Sequence, residues 1–307
     1  MIVCSGEALI DFLPREGTDG TAVFQPFPGG SVFNVAIALG RLGEPTGFLS
    51  GLSQDFFGTS LVETLRASHV DTSLSIFSER PTTLAFVTLT DGQAQYAFFD
   101  EGSAGRMLAA DDLPAVPKEV EAMHFGSISL MAEPGGSTYE TLMRNESPFR
   151  VICLDPNVRP SLIKNRDGYL ARIDRMVEMT DIIKCSDDDL EWLAPDRSFE
   201  TIASDWLDRG VKLAILTRGA EGATAITTSG SASVAGVAVD VADTIGAGDT
   251  FSAAILSWLR TNRLLTKSGV ADLSEAELGS LLSFAAKAAA VTASRPGADP
   301  PWRWEME

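Results

Sequence analysis

VICL at residues 151–154, DIIKC at 181–185 and KLAILT at 212–217 are short apolar runs, separated by helical patterns at 169–176 and 200–209. A strand with one wet face alternates apolar and polar residues. A parallel strand covered on both faces reads instead as an almost continuous Val/Ile/Leu run. The same rhythm extends outward from this centre. Further apolar runs lie at 2–5, 46–51 and 122–125, with helical patterns at 31–42, 58–68 and 137–144 between them. Strands alternating with helices imply a parallel, doubly wound α/β sheet with helices on both faces.

Two stretches break this rhythm. Residues 73–100 carry three β-like runs (73–77, 83–90 and 95–99), and Asp91-Gly92 between the last two is a hairpin signal. Residues 12–28 are also extended and interrupted by proline. Together they predict a small antiparallel sheet outside the main layer, either a lid or an extension of the sheet edge. Nearer the C-terminus come a β pair (223–227 and 232–237), the stretch DTIGAGDTF at 243–251, a helix to about Arg260 and an alanine-rich helix over 275–292. No repeat or low-complexity linker interrupts the chain. One domain spanning 1–307, with a β lid formed by about 12–28 and 73–100, is the expectation.

The 307 residues include 24 Lys+Arg against 42 Asp+Glu, a formal net charge of −18. Such a surface repels nucleic-acid backbones and anionic membranes. It leaves room for phosphate ligands held by backbone N–H groups, local cations or Mg²⁺. Cys4, Cys153 and Cys185 each sit in an apolar run, as buried thiols of a reducing compartment do. The N-terminus lacks a basic region before its first apolar run, and no apolar stretch reaches membrane-spanning length. The expectation is a cytoplasmic protein with no nucleic-acid or membrane partner.

Chemistry concentrates in three places. In Asp243-Thr244-Ile245-Gly246-Ala247-Gly248-Asp249, two glycines precede an amphipathic helix. Glycine lets the backbone turn sharply, and the unpaired N–H groups of a helix start attract an anion. Asp249, in the first turn, is either a base placed to take a hydroxyl proton near that anion or a favourable N-terminal acid. Gly29 and Gly30, followed by Ser31 and Asn34 at the start of a helix, suit close approach to a polyol or a plain loop with Ser31 as cap. Asp11, after the first strand, is either a hydroxyl acceptor in the ligand crevice or a solvated loop acid.

These elements, in this order, resemble the ribokinase-like (PfkB) carbohydrate kinases, and the resemblance runs from Gly6-Glu7 to Arg295-Pro296-Gly297-Ala298. It implies a three-layer αβα fold with a mostly parallel central sheet and a small β-sheet lid. It also implies transfer of the γ-phosphoryl group of ATP to a sugar primary hydroxyl, with Mg²⁺ and, in some members, K⁺. Carried over by position, sugar contacts fall on Asp11, Gly29, Gly30 and Asn34. The anion hole falls on Gly246, Ala247 and Gly248, and the base on Asp249. The nucleotide loop falls on Thr217, Gly219 and Gly222, and Lys184 and Ser186 are also expected to bind the nucleotide. A monovalent cation would lie near Asp243 and Ile245.

One departure bears on magnesium. The family's Asn-x-x-Glu, which organises Mg²⁺ and phosphates, aligns with Ser186-Asp187-Asp188-Asp189. Asp189 retains a carboxylate one methylene shorter, and contact with Mg²⁺ through water would tolerate the change.

The segments GEALIDF at 6–12, Glu101-Gly102-Ser103-Ala104 and Asp155-Pro156-Asn157-Val158-Arg159-Pro160 look most like those of bacterial fructokinases. Arg159 then meets either the sugar or a phosphate, or pairs with an acid at the surface. Many such members have arginine where this chain has Asp100, and Arg106 lies a few residues later. Fructose is the expected acceptor. The alternatives are 2-keto-3-deoxygluconate, ribose or a nucleoside on the same fold, or a regulator that binds sugar or nucleotide without catalysis. An exposed lid edge makes homodimerisation through the lid an expectation.

Overall fold

The computed structural model describes residues 1–17, 19–90 and 93–307. Along the chain, β1 (Ile2–Ser5) is followed by β2 (Leu9–Glu16), β3 (Ala22–Gly29), α1 (Ser31–Arg41), β4 (Thr46–Leu49) and β5 (Gly51–Ser53). Next come α2 (Phe56–Ala67), β6 (Val70–Asp71), β7 (Ile76–Ser78), β8 (Thr83–Thr90) and β9 (Gln93–Phe99). The central βα units are β10 (Ala122–Gly126), α3 (Gly135–Glu146), β11 (Val151–Asp155), α4 (Arg166–Val177), β12 (Ile182–Ser186), α5 (Asp187–Leu193), α6 (Phe199–Asp208) and β13 (Leu213–Thr217). A hairpin of β14 (Ala223–Thr227) and β15 (Gly230–Val234) leads to α7 (Ala247–Thr261), α8 (Lys267–Ala271) and α9 (Glu275–Ala293).

The main sheet has the order β15-β14-β13-β12-β11-β10-β1-β4-β6, parallel from β6 to β13 and antiparallel in its final hairpin. Alternate residues of each parallel strand feed two separate cores. Ile2, Cys4, Val151, Cys153, Leu213 and Ile215 pack with α1, α2, α7 and α9, whereas Val3, Ile152, Leu154, Ala214 and Leu216 pack with α3, α4 and α6. Burial on both faces explains why these strands read as continuous apolar runs. Strand order reverses at β1, which lies between β4 and β10, so the loops after β1, β11, β12 and β13 gather at one edge of the sheet.

A separate four-stranded sheet has the order β3-β2-β8-β9. The expected run at 73–77 does not join it. Ile76 and Phe77 belong instead to β7, which pairs with β5 in a two-stranded sheet. Asp91 and Gly92, the expected hairpin turn, lie outside the described residues. Period-two alternation gives the four-stranded sheet two unlike faces. Phe12 stacks on Phe86 at 4.5 Å, with Phe24 and Phe99 edge-on to Phe86, on one face. Leu9, Asp11, Leu13 and Val87 line a cavity on the other.

Candidate active site

The cavity, of about 840 Å³, lies between the four-stranded sheet and the edge where the parallel strands end. It brings together Asp11, Gly30, Asn34, Arg159, Lys184, Ser186, Asp189, Thr217, Gly219, Gly222, Ile245, Gly246, Ala247, Gly248 and Asp249. Two expected residues stand just behind its wall. Gly29 lies under the Asp11 carboxylate, where an added Cβ would come within 2.3 Å of Oδ2. Asp243 accepts from Ile245 N–H at 3.0 Å through Oδ1 and from Gly297 N–H at 3.0 Å through Oδ2. That carboxylate ties the loop before α7 to the loop after α9.

Gly246 caps α7 in the left-handed region, with φ of 77°. The turn places Gly246, Ala247 and Gly248 on the cavity lining at the start of α7, where N–H groups have no intrahelical acceptor; Ala247 N–H donates to the Thr244 carbonyl at 3.3 Å. It packs tightly behind as well, since a Cβ on Gly246 would meet Ala298 at 2.7 Å. Asp249, in the first turn of α7, is buried. Its Oδ1 accepts from Ser31 Oγ at 2.7 Å and its Oδ2 from Asn34 Nδ2 at 2.8 Å. Thus the two glycine motifs, far apart in sequence, meet at one carboxylate.

Electrostatics at this end are crowded with acids. Burial raises the Asp249 pKa above the usual carboxylate range, opposed by the bonds from Ser31 and Asn34. Burial likewise pushes Asp11 up to about 6, countered in part by the Arg159 charge. Glu7 is raised to about 7, chiefly by burial. It accepts from Val32 N–H at 3.3 Å and Ser129 N–H at 3.4 Å, and so holds the start of α1 against the turn after β10.

At the ends of β11 and β12, Lys184 is buried and donates to Asp155 Oδ2 at 3.0 Å, which also accepts from Ser252 Oγ at 3.1 Å. Burial works against the lysine charge, but Asp155 and Asp189 hold its pKa above the ordinary value. Its Nζ lies 3.4 Å from where a Cβ on Gly248 would stand, directly beneath the anion turn. Asp189, expected near magnesium, is buried, and both its oxygens are occupied by donors from Ser186 and Val158. Asp187 and Asp188 line the cavity beside it.

Several site residues escaped the sequence reading. Glu7, Asp155 and Asn157 stood inside quoted segments without a role. Ser252 carried no signal, and the loop at 236–241 was in part read as strand (232–237), whereas β15 ends at Val234. Ala286, Ala289, Ala290 and Ala293 line the cavity with that loop. Their spacing, a stripe of small residues on one helical face, could have been read as room for a flat ligand.

A model of the pfkB family of carbohydrate kinases matches residues 1–305. The chain belongs to that family. A fructokinase of Rhizobium leguminosarum bv. trifolii is 51% identical over 278 residues, covering 91% of this chain and 85% of that protein. Among solved structures, the ATP-bound fructokinase of Xylella fastidiosa superposes with a TM-score of 0.91 at 26% identity, covering 99% and 96% of the two chains. The fructokinase of Vibrio cholerae O395 in its fructose-, ADP- and calcium-bound form has a TM-score of 0.83 at 27% identity, covering 97% and 94%. The ribokinase-like fold and the carbohydrate-kinase class expected from the motifs hold. No described helix is long and apolar enough to cross a membrane.

Proposed function

We propose that this chain transfers the γ-phosphoryl group of ATP to the primary hydroxyl of fructose, giving fructose 6-phosphate. The observation that carries this reading is the buried Asp249 carboxylate, held by Ser31 and Asn34 beside the anion turn and facing the same cavity as Asp11. Asp249 takes the hydroxyl proton as the oxygen attacks, while N–H groups of 246–248 meet the charge on the transferring phosphoryl oxygens. Asp11, Gly30 and Asn34 bind the sugar hydroxyls, with Arg159 beside Asp11. The nucleotide base lies in the groove between residues 236–241 and the alanine face of α9, near Thr217, Gly219 and Gly222. The four-stranded sheet acts as a lid on a single domain and excludes water, the competing acceptor.

Among the described residues no cluster of three or more His, Cys, Asp or Glu is arranged to hold a metal. Asp187 and Asp188, which line the cavity, would meet an ion carried on phosphate oxygens through water. Held there, Mg²⁺ would neutralise phosphate charge. A potassium ion would sit by Asp243 and the Ile245 backbone. The aromatic outer face of the lid, where Phe24 and Phe99 are 45% and 61% exposed, supports homodimerisation. The cytoplasm is the compartment that suits the three buried free cysteines.

Charge favours a neutral sugar over an acidic one. Arg106 pairs with Asp100 at 2.9 Å and donates to the Glu133 carbonyl, away from the cavity lining. Of the cations lining the cavity, Lys184 is committed to Asp155, which leaves Arg159 among Glu7, Asp11 and Asp249. The test is ADP release from Mg·ATP with fructose, ribose, 2-keto-3-deoxygluconate, glucose and adenosine. Turnover with fructose at the highest kcat/KM is expected. Preference for another acceptor overturns the substrate, and silence on all five overturns the activity.

A further inference from the structure

Asn157 follows β11 with φ of 39°, in the left-handed region that asparagine tolerates better than most residues and glycine best. From there its Nδ2 donates to Ser31 Oγ at 2.8 Å and reaches Asp249 Oδ1 at 3.4 Å. Because Ser31 Oγ accepts from Asn157, its single proton is directed onto Asp249 Oδ1. Removing the amide would free that hydroxyl to rotate toward other acceptors.

The turn bearing Asn157 is held from two sides. Arg159 Nη1 donates to the carbonyls of Asn157 at 3.3 Å and Val158 at 3.0 Å. The Val158 N–H donates to Asp189 Oδ1 at 2.7 Å. The other oxygen of Asp189 accepts from Ser186 N–H at 3.0 Å and Ser186 Oγ at 2.7 Å, completing a capping box at the start of α5. A buried carboxylate with three protein donors is already occupied, and its geometry serves the turn.

We propose, resting on the reading of Asp249 as the base, that Asn157 is a positioning residue for Asp249, and that Asp189 acts with it by fixing the 156–159 turn. Two donors directed at Oδ1 and one at Oδ2 leave the carboxylate a single orientation toward the attacking hydroxyl. In this arrangement Asp189 supports the base rather than ordering magnesium waters.

Asn157→Gly keeps the left-handed backbone and removes only the amide. It is measured beside Asp189→Ala, the double variant and Asp249→Asn, for kcat, both KM values and the Mg²⁺ concentration at half-saturation. Asn157→Gly is expected to lower kcat about tenfold or more, the scale of a misplaced catalytic group, with both KM values within about twofold. Asp189→Ala is expected to lose kcat similarly at unchanged Mg²⁺ dependence. The double variant should lose less than the two singles combined, since both act through one turn. Wild-type kcat in Asn157→Gly overturns the proposal, as does recovery of Asp189→Ala by added Mg²⁺. Should Asp189→Ala fail to fold, Asp189→Asn keeps an acceptor toward Val158 and is expected to retain most turnover. A raised Mg²⁺ requirement in that variant overturns the proposal. Full turnover in Asp249→Asn removes the base itself, a failure distinct from wild-type behaviour in Asn157→Gly.

Discussion

Asp11 passes over Gly29 so closely that a single methyl group on Gly29 would come within 2.3 Å of the Asp11 carboxylate. The two residues are not direct partners in the β2–β3 ladder. Leu9 pairs with Gly29 and Asp11 with Phe27, and the carboxylate leans back along the strand to fill the space left by the missing side chain. Gly29→Ala should therefore displace Asp11 while leaving the cores untouched. We expect KM for fructose to rise by roughly tenfold to a hundredfold, the scale of a positioning error near 1 Å, with kcat less affected. Steady-state kinetics with fructose checks this, and an unchanged KM would remove Asp11 from the sugar site.

Asp249→Asn keeps the shape of the side chain and abolishes the proposed base. Turnover should fall by about two to four orders of magnitude, while binding of fructose and nucleotide, read by calorimetry, changes little. Turnover near that of the wild type would exclude proton abstraction by Asp249.

The pH dependence has a definite sign. The proposed base works ionised, and burial raises Asp249 above the usual carboxylate range, so protonation sets in at higher pH than for an exposed acid. Asp11, pushed up to about 6, and Glu7, raised to about 7, also take up protons above the ordinary carboxylate range. We expect kcat/KM for fructose to fall as pH drops from about 7, rather than from about 4 as for an ordinary acid. A rate profile that stays flat down to about pH 5 would contradict the buried, crowded site.

Lys184 and Asp155 form a buried pair beneath the anion turn. Lys184→Met strands the Asp155 charge, whose Oδ1 already lacks a partner. Urea unfolding should show a loss of about 3–5 kcal/mol, largely recovered when Asp155→Asn is added. An unchanged unfolding midpoint in the single variant would mean that Asp155 is reached by solvent.

The parallel sheet was legible because burial on both faces leaves a local record. Ile152 and Cys153 point into different cores, yet both must be apolar. The anion turn was legible for a similar reason, since Gly246 must adopt a positive φ beside Ala298. The run at 73–77 was misplaced because a short β-like run does not name its partner. Only the structure pairs β7 with β5 and leaves β8 and β9 to the four-stranded sheet. The role of Asp189 was obscured differently. An acid at the start of a helix suits a metal, a cap or a distant backbone N–H equally well, and the hydrogen-bond partner Val158 comes from the preceding βα loop, out of reach of a local reading.

By itself the sequence determined the doubly wound layering and the two glycine motifs, since periodicity, backbone freedom and helix-start chemistry act over a few neighbouring residues, and the kinase class followed from the family resemblance that those motifs carry. Tertiary structure alone decided that Ser31, Asn34 and Asn157 converge on Asp249, that Lys184 is neutralised by Asp155, and that Arg106 turns to Asp100. Hydrogen bonds and ion pairs depend on separations of about 3 Å between side chains remote in sequence. Only the packing of the folded chain brings them that close.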